Sequence, residues 1–214
     1  MRTALICGAT GLVGRHLLAR LLHEERTIAV KTVGRSAPEQ LHSKLVHIQT
    51  ELGALDKLRT QLVSDDAYCC LGTTLKSAGS RAAFERVDFH MVVDFARAAR
   101  AAGARRFFLV SSLSANPRSL VYYSRIKGRT EQAVREVGFE TLHILRPSLL
   151  LGQRQERRAG EALGQMLAPL INPLLHGKLE KYRAVSAESV AAAMFHLSQR
   201  EDLGSFIHHL PLEF

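Results

Sequence analysis

The sequence predicts an α/β fold in which a doubly wound parallel sheet is covered by helices on both faces. Short apolar runs of strand length alternate with longer segments whose apolar residues recur at helical spacing, and a glycine-rich turn separates the first strand from the first helix. Strands that are apolar throughout are typical of a parallel sheet buried between two helix layers. Ligands of such sheets bind beyond the carboxyl ends of the strands.

Each element follows from these periods and from the glycines that end them. The predicted strands are residues 3–7, 28–33, 45–48, 67–71, 107–110 and 141–145. The predicted helices are residues 12–22, 82–102 and 119–137, with a weaker helix at 55–62. Gly103 and Gly138 follow the two long helices, as helix-ending glycines do. We expect one NAD(P)-binding domain over residues 1–214, in which about 147–214 form a small lid on the substrate side.

The composition indicates a globular protein that binds anions. Hydrophobic residues make up 46% of the 214 residues and charged residues 23%, and the net charge is +9. Such an excess favours anionic partners, among them a phosphorylated cofactor. Apolar runs stay below the ~18 residues of a membrane span, and the amino terminus lacks the pattern of a signal peptide. We therefore expect a cytoplasmic protein that binds no membrane. Because metal-ligand spacing and nucleic-acid motifs are lacking as well, we expect neither partner.

A glycine turn between the first strand and the first helix predicts a dinucleotide site. Gly8, Gly11 and Gly14 are spaced three residues apart, which lets the backbone approach a pyrophosphate at a helix amino terminus. The second strand ends at Gly34, Arg35 and Ser36, where proteins that prefer NAD usually carry an acidic residue for the ribose. Because an arginine can hold a 2′-phosphate, the sequence favours NADP(H) over NAD(H).

A tyrosine and a lysine four residues apart predict an acid/base pair. Tyr123 and Lys127 share a face of the helix at 119–137, and a neighbouring cation stabilises a phenolate. The strand at 107–110 opens into Ser111 and Ser112, whose hydroxyls could bind a substrate oxygen. Since successive residues of a strand point to opposite sides, both cannot face one site. We expect Ser112 to do so, with Ser111 or Ser114 as the alternatives.

Together these motifs resemble the short-chain dehydrogenase/reductase superfamily, in its atypical branch, and more closely the HIV Tat-interacting protein group of that branch. The segments that carry the closer likeness are 69–74 with Lys76, Ala78 and Gly79; 84–88; 146–147 through Leu150 to 154–156; and 160–161. The resemblance implies that Tyr123 transfers the proton and that Lys127 binds the nicotinamide ribose. It also implies cofactor contacts at Thr10, Gly11, Leu12, Val13, Arg35, Ser36, Leu71, Gly72, Leu150 and Arg158.

We therefore expect an NADP(H)-dependent oxidoreductase that acts on a small carbonyl or alcohol, with the substrate itself unspecified. The main alternative is a regulatory protein that senses NADP(H) and binds a protein partner with little catalysis. A nucleotide-sugar epimerase ranks lower because such enzymes usually have a larger carboxyl-terminal portion. The oligomeric state, monomer or homodimer, stays open.

Overall fold

The computed structural model describes residues 1–51, 55, 57–151 and 183–212. Its strands are β1 Arg2–Cys7, β2 Thr27–Gly34, β3 Leu45–Gln49, β4 Asp66–Cys69, β5 Arg106–Val110, β6 Thr141–Arg146, β7 Leu150–Leu151, β8 Val185–Ser186 and β9 Gly204–His209. Its helices are α1 Leu12–His23, α2 Leu75–Ala78, α3 Arg81–Glu85, α4 Val92–Ala101, α5 Tyr122–Glu136 and α6 Ala187–Ser198, with a π-helical turn at Arg86–Met91 between α3 and α4.

A seven-stranded parallel sheet in the order β3-β2-β1-β4-β5-β6-β9 forms the centre of the molecule. The order reverses between β1 and β4, which is the switch point where a doubly wound sheet opens a crevice. This architecture confirms the predicted Rossmann-type fold. A second, two-stranded sheet joins β7 to β8.

Apolar side chains cover both faces of the seven-stranded sheet. On one face, α1 and α6 pack against alternate sheet residues such as Ile6 and Phe108. On the other face, α4 and the Val134 side of α5 pack against residues such as Leu5 and Phe107. Successive residues of one strand therefore enter different cores, which explains why the strands read as continuous apolar runs.

Three predicted elements differ in the structure. The helix expected at 82–102 is divided into α3, the π-helical turn and α4. In the segment expected as a weak helix at 55–62, the described residues Leu55, Lys57 and Leu58 have 3-10 geometry, and a turn follows. The lid expected at about 147–214 cannot include all of these residues. Its range excludes α6, which packs against α1, and β9, which is the seventh strand of the sheet. Residues 152–182 lie outside the described part of the chain.

Candidate functional site

The predicted functional segments meet at one edge of the sheet. Because β1, β2, β4, β5 and β6 are parallel, the segments that follow them all leave at their carboxyl ends. These segments are 8–11, 34–36, 70–74, 111–114 and 147–149. The fold therefore brings the predicted cofactor and substrate residues of these segments to the same side of the molecule.

Gly8 after β1 and Gly14 in the first turn of α1 are packed so tightly that neither position has room for a side chain. Gly8 has a φ of +81°, and a Cβ atom added to it would lie 2.9 Å from the backbone nitrogen of Leu71. A Cβ atom on Gly14 would lie 2.1 Å from the carbonyl oxygen of Gly8. The turn is therefore held against the segment after β4, and the start of α1 stays close to the sheet.

The amino terminus of α1 presents uncapped backbone amides. Gly11 occupies the N-cap position and offers no side-chain acceptor, and the first turn contains no acidic residue. Thr10 and Gly11 are exposed, Leu12 is half-buried, and Val13 and Gly14 are buried. The side chain of Val13 thus belongs to the core, and only its backbone amide is suited to a ligand. Free first-turn amides together with the helix dipole favour an anion such as a pyrophosphate.

The end of β2 presents the two residues that were predicted to contact the adenosine phosphate. Arg35 and Ser36 are both exposed just beyond the strand. Their hydrogen-bonding groups are accessible from the same side as the amino terminus of α1. A pyrophosphate there and a ribose phosphate at Arg35 fit the residues present.

Lys127 is a buried cation paired with a buried carboxylate. Its Nζ lies 2.7 Å from Oδ1 of Asp88, and the two side chains are 7% and 0% exposed. Burial alone lowers the pKa of Lys127, but the Asp88 carboxylate and Tyr123 outweigh it, so the pKa lies above its ordinary value. Lys127 is therefore a fixed ammonium group.

Asp88 also connects the lysine to the segment after β4. Its Oδ2 accepts a hydrogen bond from the Thr73 amide at 2.9 Å, and its carbonyl oxygen accepts one from the Thr130 hydroxyl at 2.7 Å. A Cβ atom added to Gly72 would lie 3.5 Å from both Asp88 Oδ1 and Lys127 Nζ. Gly72 therefore lies directly against the buried pair, and the segment after β4 covers it.

The two adjacent tyrosines of α5 have different surroundings. The Tyr122 hydroxyl donates to Oε2 of Glu85 at 2.8 Å, and Arg81 and Arg125 lie over its ring. Tyr123 is half-buried, packs its ring against Phe84 at 5.5 Å between centroids, and interacts electrostatically with Lys127. Within the described chain its hydroxyl has no hydrogen-bond partner. Tyr123 is therefore the tyrosine on the lysine face, with its hydroxyl available.

The serines after β5 also have different surroundings. Ser111 is buried, and its hydroxyl donates to Oε1 of Glu131 at 2.5 Å. Ser112 is half-buried, and its Oγ lies 3.3 Å from Oγ of the exposed Ser114. The Ser111 hydroxyl is thus occupied inside the protein, which leaves Ser112 and Ser114 on the accessible side.

Sequence reasoning missed three charged residues around the site. These are Asp88, Glu131 and Arg146, of which Asp88 and Arg146 lie in segments that carry the family likeness. Glu131 follows Lys127 by four residues, so the spacing that paired Tyr123 with Lys127 could have revealed it. Leu150 is half-buried and packs against the core on the α1 side. Arg158 lies outside the described residues.

The described chain contains neither a metal-binding cluster nor a membrane span. No three histidine, cysteine, aspartate or glutamate side chains in it converge as metal ligands would. None of its helices combines the length and apolar character that crossing a bilayer requires.

Comparisons with known proteins identify the family. A family model described as NAD(P)H-binding matches residues 8–201. Protein fmp52, mitochondrial, from Emericella nidulans is 32% identical over 200 residues, covering 90% of this chain and 85% of that protein. Protein HTATIP2 from Rattus norvegicus is 34% identical over 168 residues, covering 77% of this chain and 69% of that protein. The matches therefore cover most of this chain and most of each relative.

A solved structure shows the same fold at low sequence identity. MoeE5 in complex with UDP-glucose and NAD has a TM-score of 0.72 and 19% identity, and the match covers 96% of this chain and 74% of that one. Identity this low bears on the fold alone.

The names of the relatives correct one expectation and support another. The prediction of a cytoplasmic protein is wrong by this comparison, since the fmp52 relatives from Emericella nidulans, Aspergillus fumigatus and Aspergillus niger are all named mitochondrial. The absence of a signal-peptide pattern does not distinguish these two compartments. The predicted resemblance itself is confirmed. The chain belongs to the NAD(P)H-binding family, within the atypical short-chain dehydrogenase/reductases that are similar to the HIV Tat-interacting proteins.

Proposed function

We propose that this protein is an NADP(H)-dependent oxidoreductase that interconverts a small carbonyl compound and its alcohol. The observation that carries the proposal is the arrangement on α5. Tyr123 has an available hydroxyl, and one turn further along the same helix face Asp88 holds Lys127 as an ammonium beside Gly72, in the segment after β4. A cofactor bound at the start of α1 and over Gly72 would meet this face.

The residues of the chain supply the proton and the orientation, while the nicotinamide, when bound, supplies or accepts the hydride. In the reducing direction, the Tyr123 hydroxyl donates its proton to the carbonyl oxygen while the carbonyl carbon gains the hydride. The Ser112 hydroxyl donates a hydrogen bond to the same oxygen. Lys127 stabilises the phenolate that remains on Tyr123 and binds the nicotinamide ribose. In the oxidising direction the same groups act in reverse.

The preference for NADP(H) is part of the proposal. Arg35 is exposed beyond β2, and no acidic residue stands at 34–36 to bind the ribose hydroxyls of NAD. A guanidinium binds a 2′-phosphate through charge-assisted hydrogen bonds, each worth roughly 1.5–3 kcal/mol. That energy corresponds to about a 10- to 100-fold preference.

Fluorescence titration with NADPH and NADH tests the cofactor. Arg35→Ala should weaken NADPH binding about 10- to 100-fold and leave NADH binding unchanged, because NADH has no 2′-phosphate. Arg97→Ala is the matched control, since Arg97 is an exposed arginine of α4, away from the strand ends. Equal affinity of the wild type for both nucleotides would reject the preference, and binding of neither would reject the cofactor site.

Turnover of a carbonyl probe tests the reaction. We expect the wild type to reduce para-nitrobenzaldehyde with NADPH, and Tyr123→Phe to lower kcat by about 10²- to 10⁴-fold, the usual contribution of a general acid. Tyr122→Phe is the control, because the Tyr122 hydroxyl is bonded to Glu85 instead. NADPH binding should persist in both variants. Unchanged turnover in Tyr123→Phe would contradict the assigned role, whereas NADPH binding without turnover of any carbonyl would favour the regulatory alternative.

A further inference from the structure

Glu131 is a third residue on the face of α5 that carries Tyr123 and Lys127. The three positions are spaced four residues apart, so they follow one another along one side of the helix. Glu131 is only 1% exposed. Glutamate is almost never buried to this extent unless it is paired. Its burial therefore needs an explanation in its contacts.

Three donor groups from two other elements bind this one carboxylate. Arg146 forms a two-pronged pair with it, from Nε to Oε1 at 2.9 Å and from Nη2 to Oε2 at 2.6 Å. The Ser111 hydroxyl donates to Oε1 at 2.5 Å. Geometry of this kind fixes orientation as well as distance, because both guanidinium donors must lie in the plane of the carboxylate.

Ser111 and Arg146, the two residues that bind Glu131, lie at the points where β5 and β6 end and the segments of the site begin. Ser111 is the first residue after β5, directly before Ser112, and Arg146 is the last residue of β6. Backbone hydrogen bonds join these two segments, from the Ser111 amide to the Leu145 carbonyl and from the Leu113 amide to the Pro147 carbonyl, each at 2.8 Å. Glu131 thus connects α5 to the first residues of the segments that follow β5 and β6.

The contact with Ser111 also excludes that serine from the site and determines the direction of its neighbour, Ser112. Neighbouring residues in extended backbone point to opposite sides, so a Ser111 hydroxyl held inward directs Ser112 outward. Ser112 is accordingly the serine whose hydroxyl lies near Ser114. The distance between the Ser112 hydroxyl and the Tyr123 hydroxyl therefore depends on a rigid link through Ser111 and α5.

We propose that Glu131 is a positioning residue of the reaction, which sets the Ser112 hydroxyl relative to Tyr123 by binding Ser111 and Arg146. This inference rests on the oxidoreductase function proposed above. A misplacement of reacting groups by about 1 Å can cost about 100-fold in rate. We therefore expect Glu131→Gln, which keeps the size of the side chain but loses the charge, to lower kcat about 10- to 100-fold while NADPH affinity stays unchanged.

A double-mutant cycle on kcat distinguishes positioning from a merely structural role. The variants are Glu131→Gln, Ser112→Ala and their combination, assayed with NADPH and para-nitrobenzaldehyde. If Glu131 acts through Ser112, the double variant should be no slower than Ser112→Ala alone, because the group being positioned is already gone. Effects that multiply independently would overturn the proposal. So would full activity of Glu131→Gln.

Matched variants keep the test decisive. Arg135→Gln is the control, because Arg135 is an exposed cation of α5 that lies 4.0 Å from the same carboxylate. If Glu131→Gln does not fold because Arg146 is left unpaired, Glu131→Gln combined with Arg146→Gln removes both charges, and the same cycle is run in that background. Full activity of this neutral pair would overturn the proposal.

Hydrogen exchange separates failure of this inference from failure of the proposed function. In Glu131→Gln, the Ser111 and Leu113 amides should exchange faster by at least about tenfold, because the segments they belong to lose their anchor on α5. The amides of α1 should exchange at the wild-type rate. If the wild type reduces no carbonyl, the proposed function fails, and unchanged exchange at Ser111 and Leu113 would separately reject the link through Glu131.

Discussion

Acidification should destabilise the protein through one buried histidine pair. His143 of β6 is 1% exposed, and its Nδ1 lies 2.9 Å from Nε2 of His208 on β9. Its ring is stacked between Phe108 and Phe206, with centroids 5.2 and 5.1 Å away. Burial, with a smaller effect from His208, lowers the pKa of His143 from 6.5 to about 4. The value of about 4 also includes small contributions from Arg106 and Arg200, which lower the pKa, and from Asp202, which raises it.

The sign and size of the effect follow from this pKa. Between the unfolded value of 6.5 and the folded value of about 4, the unfolded chain binds a proton that the folded chain excludes. The contribution of His143 to the free energy of unfolding is therefore fully present above that window and is lost as the pH falls through it. The shift amounts to roughly 3 kcal/mol in all, of which about 2 kcal/mol is lost between about pH 7 and about pH 5. His208, whose pKa burial also lowers, acts in the same direction.

Urea unfolding followed by far-ultraviolet circular dichroism measures this loss at the two pH values. In His143→Phe the aromatic stack is retained but the titrating group is gone, so most of the loss between the two pH values should disappear. His23→Phe, at an exposed histidine of α1, should behave like the wild type. If the wild type and His143→Phe lost equal stability on acidification, the assignment to His143 would be refuted.

Three further changes follow from the packing and the buried ion pairs. Lys127→Met should lower the free energy of unfolding, measured by urea titration, by about 3–5 kcal/mol, because Asp88 would be left buried without its cation. Adding Asp88→Asn should restore much of the lost stability, because no unpaired charge would then remain. Gly14→Ala should abolish NADPH binding in a fluorescence titration, because the new Cβ would lie 2.1 Å from the Gly8 carbonyl oxygen and push the turn away from α1. Arg106→Lys should lower the melting temperature in a thermal scan, since a lysine cannot reproduce the bonds from Nε and Nη2 to Asp66 at 2.6 and 2.5 Å.

The sheet could be predicted because its central strands are buried on both faces. The six strands expected from apolar runs are β1 to β6, and each lies within two residues of its predicted bounds. The seventh strand was missed because β9 is an edge strand whose residues are half-buried or exposed, so it forms no continuous apolar run. The helix α6 before it was missed with it, although its buried residues pack against α1.

The π-helical turn could not be predicted from the hydrophobic period. The period over 82–102 fits one long helix, and a π-helical turn is a local change within a helix that continues on both sides of it. Asp88 lies within this turn and is completely buried. Only the folded chain shows that its partner is Lys127, some 40 residues away along the sequence.

The placement of Tyr123 and Lys127 on one helix face could be predicted because their spacing is local, whereas their surroundings could not; their role as an acid/base pair stays a prediction. Four residues along a helix bring Tyr123 and Lys127 to one face whatever the rest of the chain does. Whether Ser111 or Ser112 is accessible depends on the direction of the Ser111 hydroxyl. That direction is set by Glu131, a residue of a different element, so alternation along the strand could narrow the choice without deciding it.

Charge is distributed unequally between the two ends of the site. Among the described residues, Lys127 of α5 and Arg146 of β6 are each paired with a buried carboxylate, so neither cation carries uncompensated charge. At the other end, Arg35 is exposed beside the uncapped amino terminus of α1. We therefore expect an anionic dinucleotide to be attracted mainly through its phosphates, where salt screens the attraction. The proposed reacting groups would act instead through hydrogen bonds at fixed positions. Salt should accordingly weaken cofactor binding and leave the rate of the bound complex nearly unchanged.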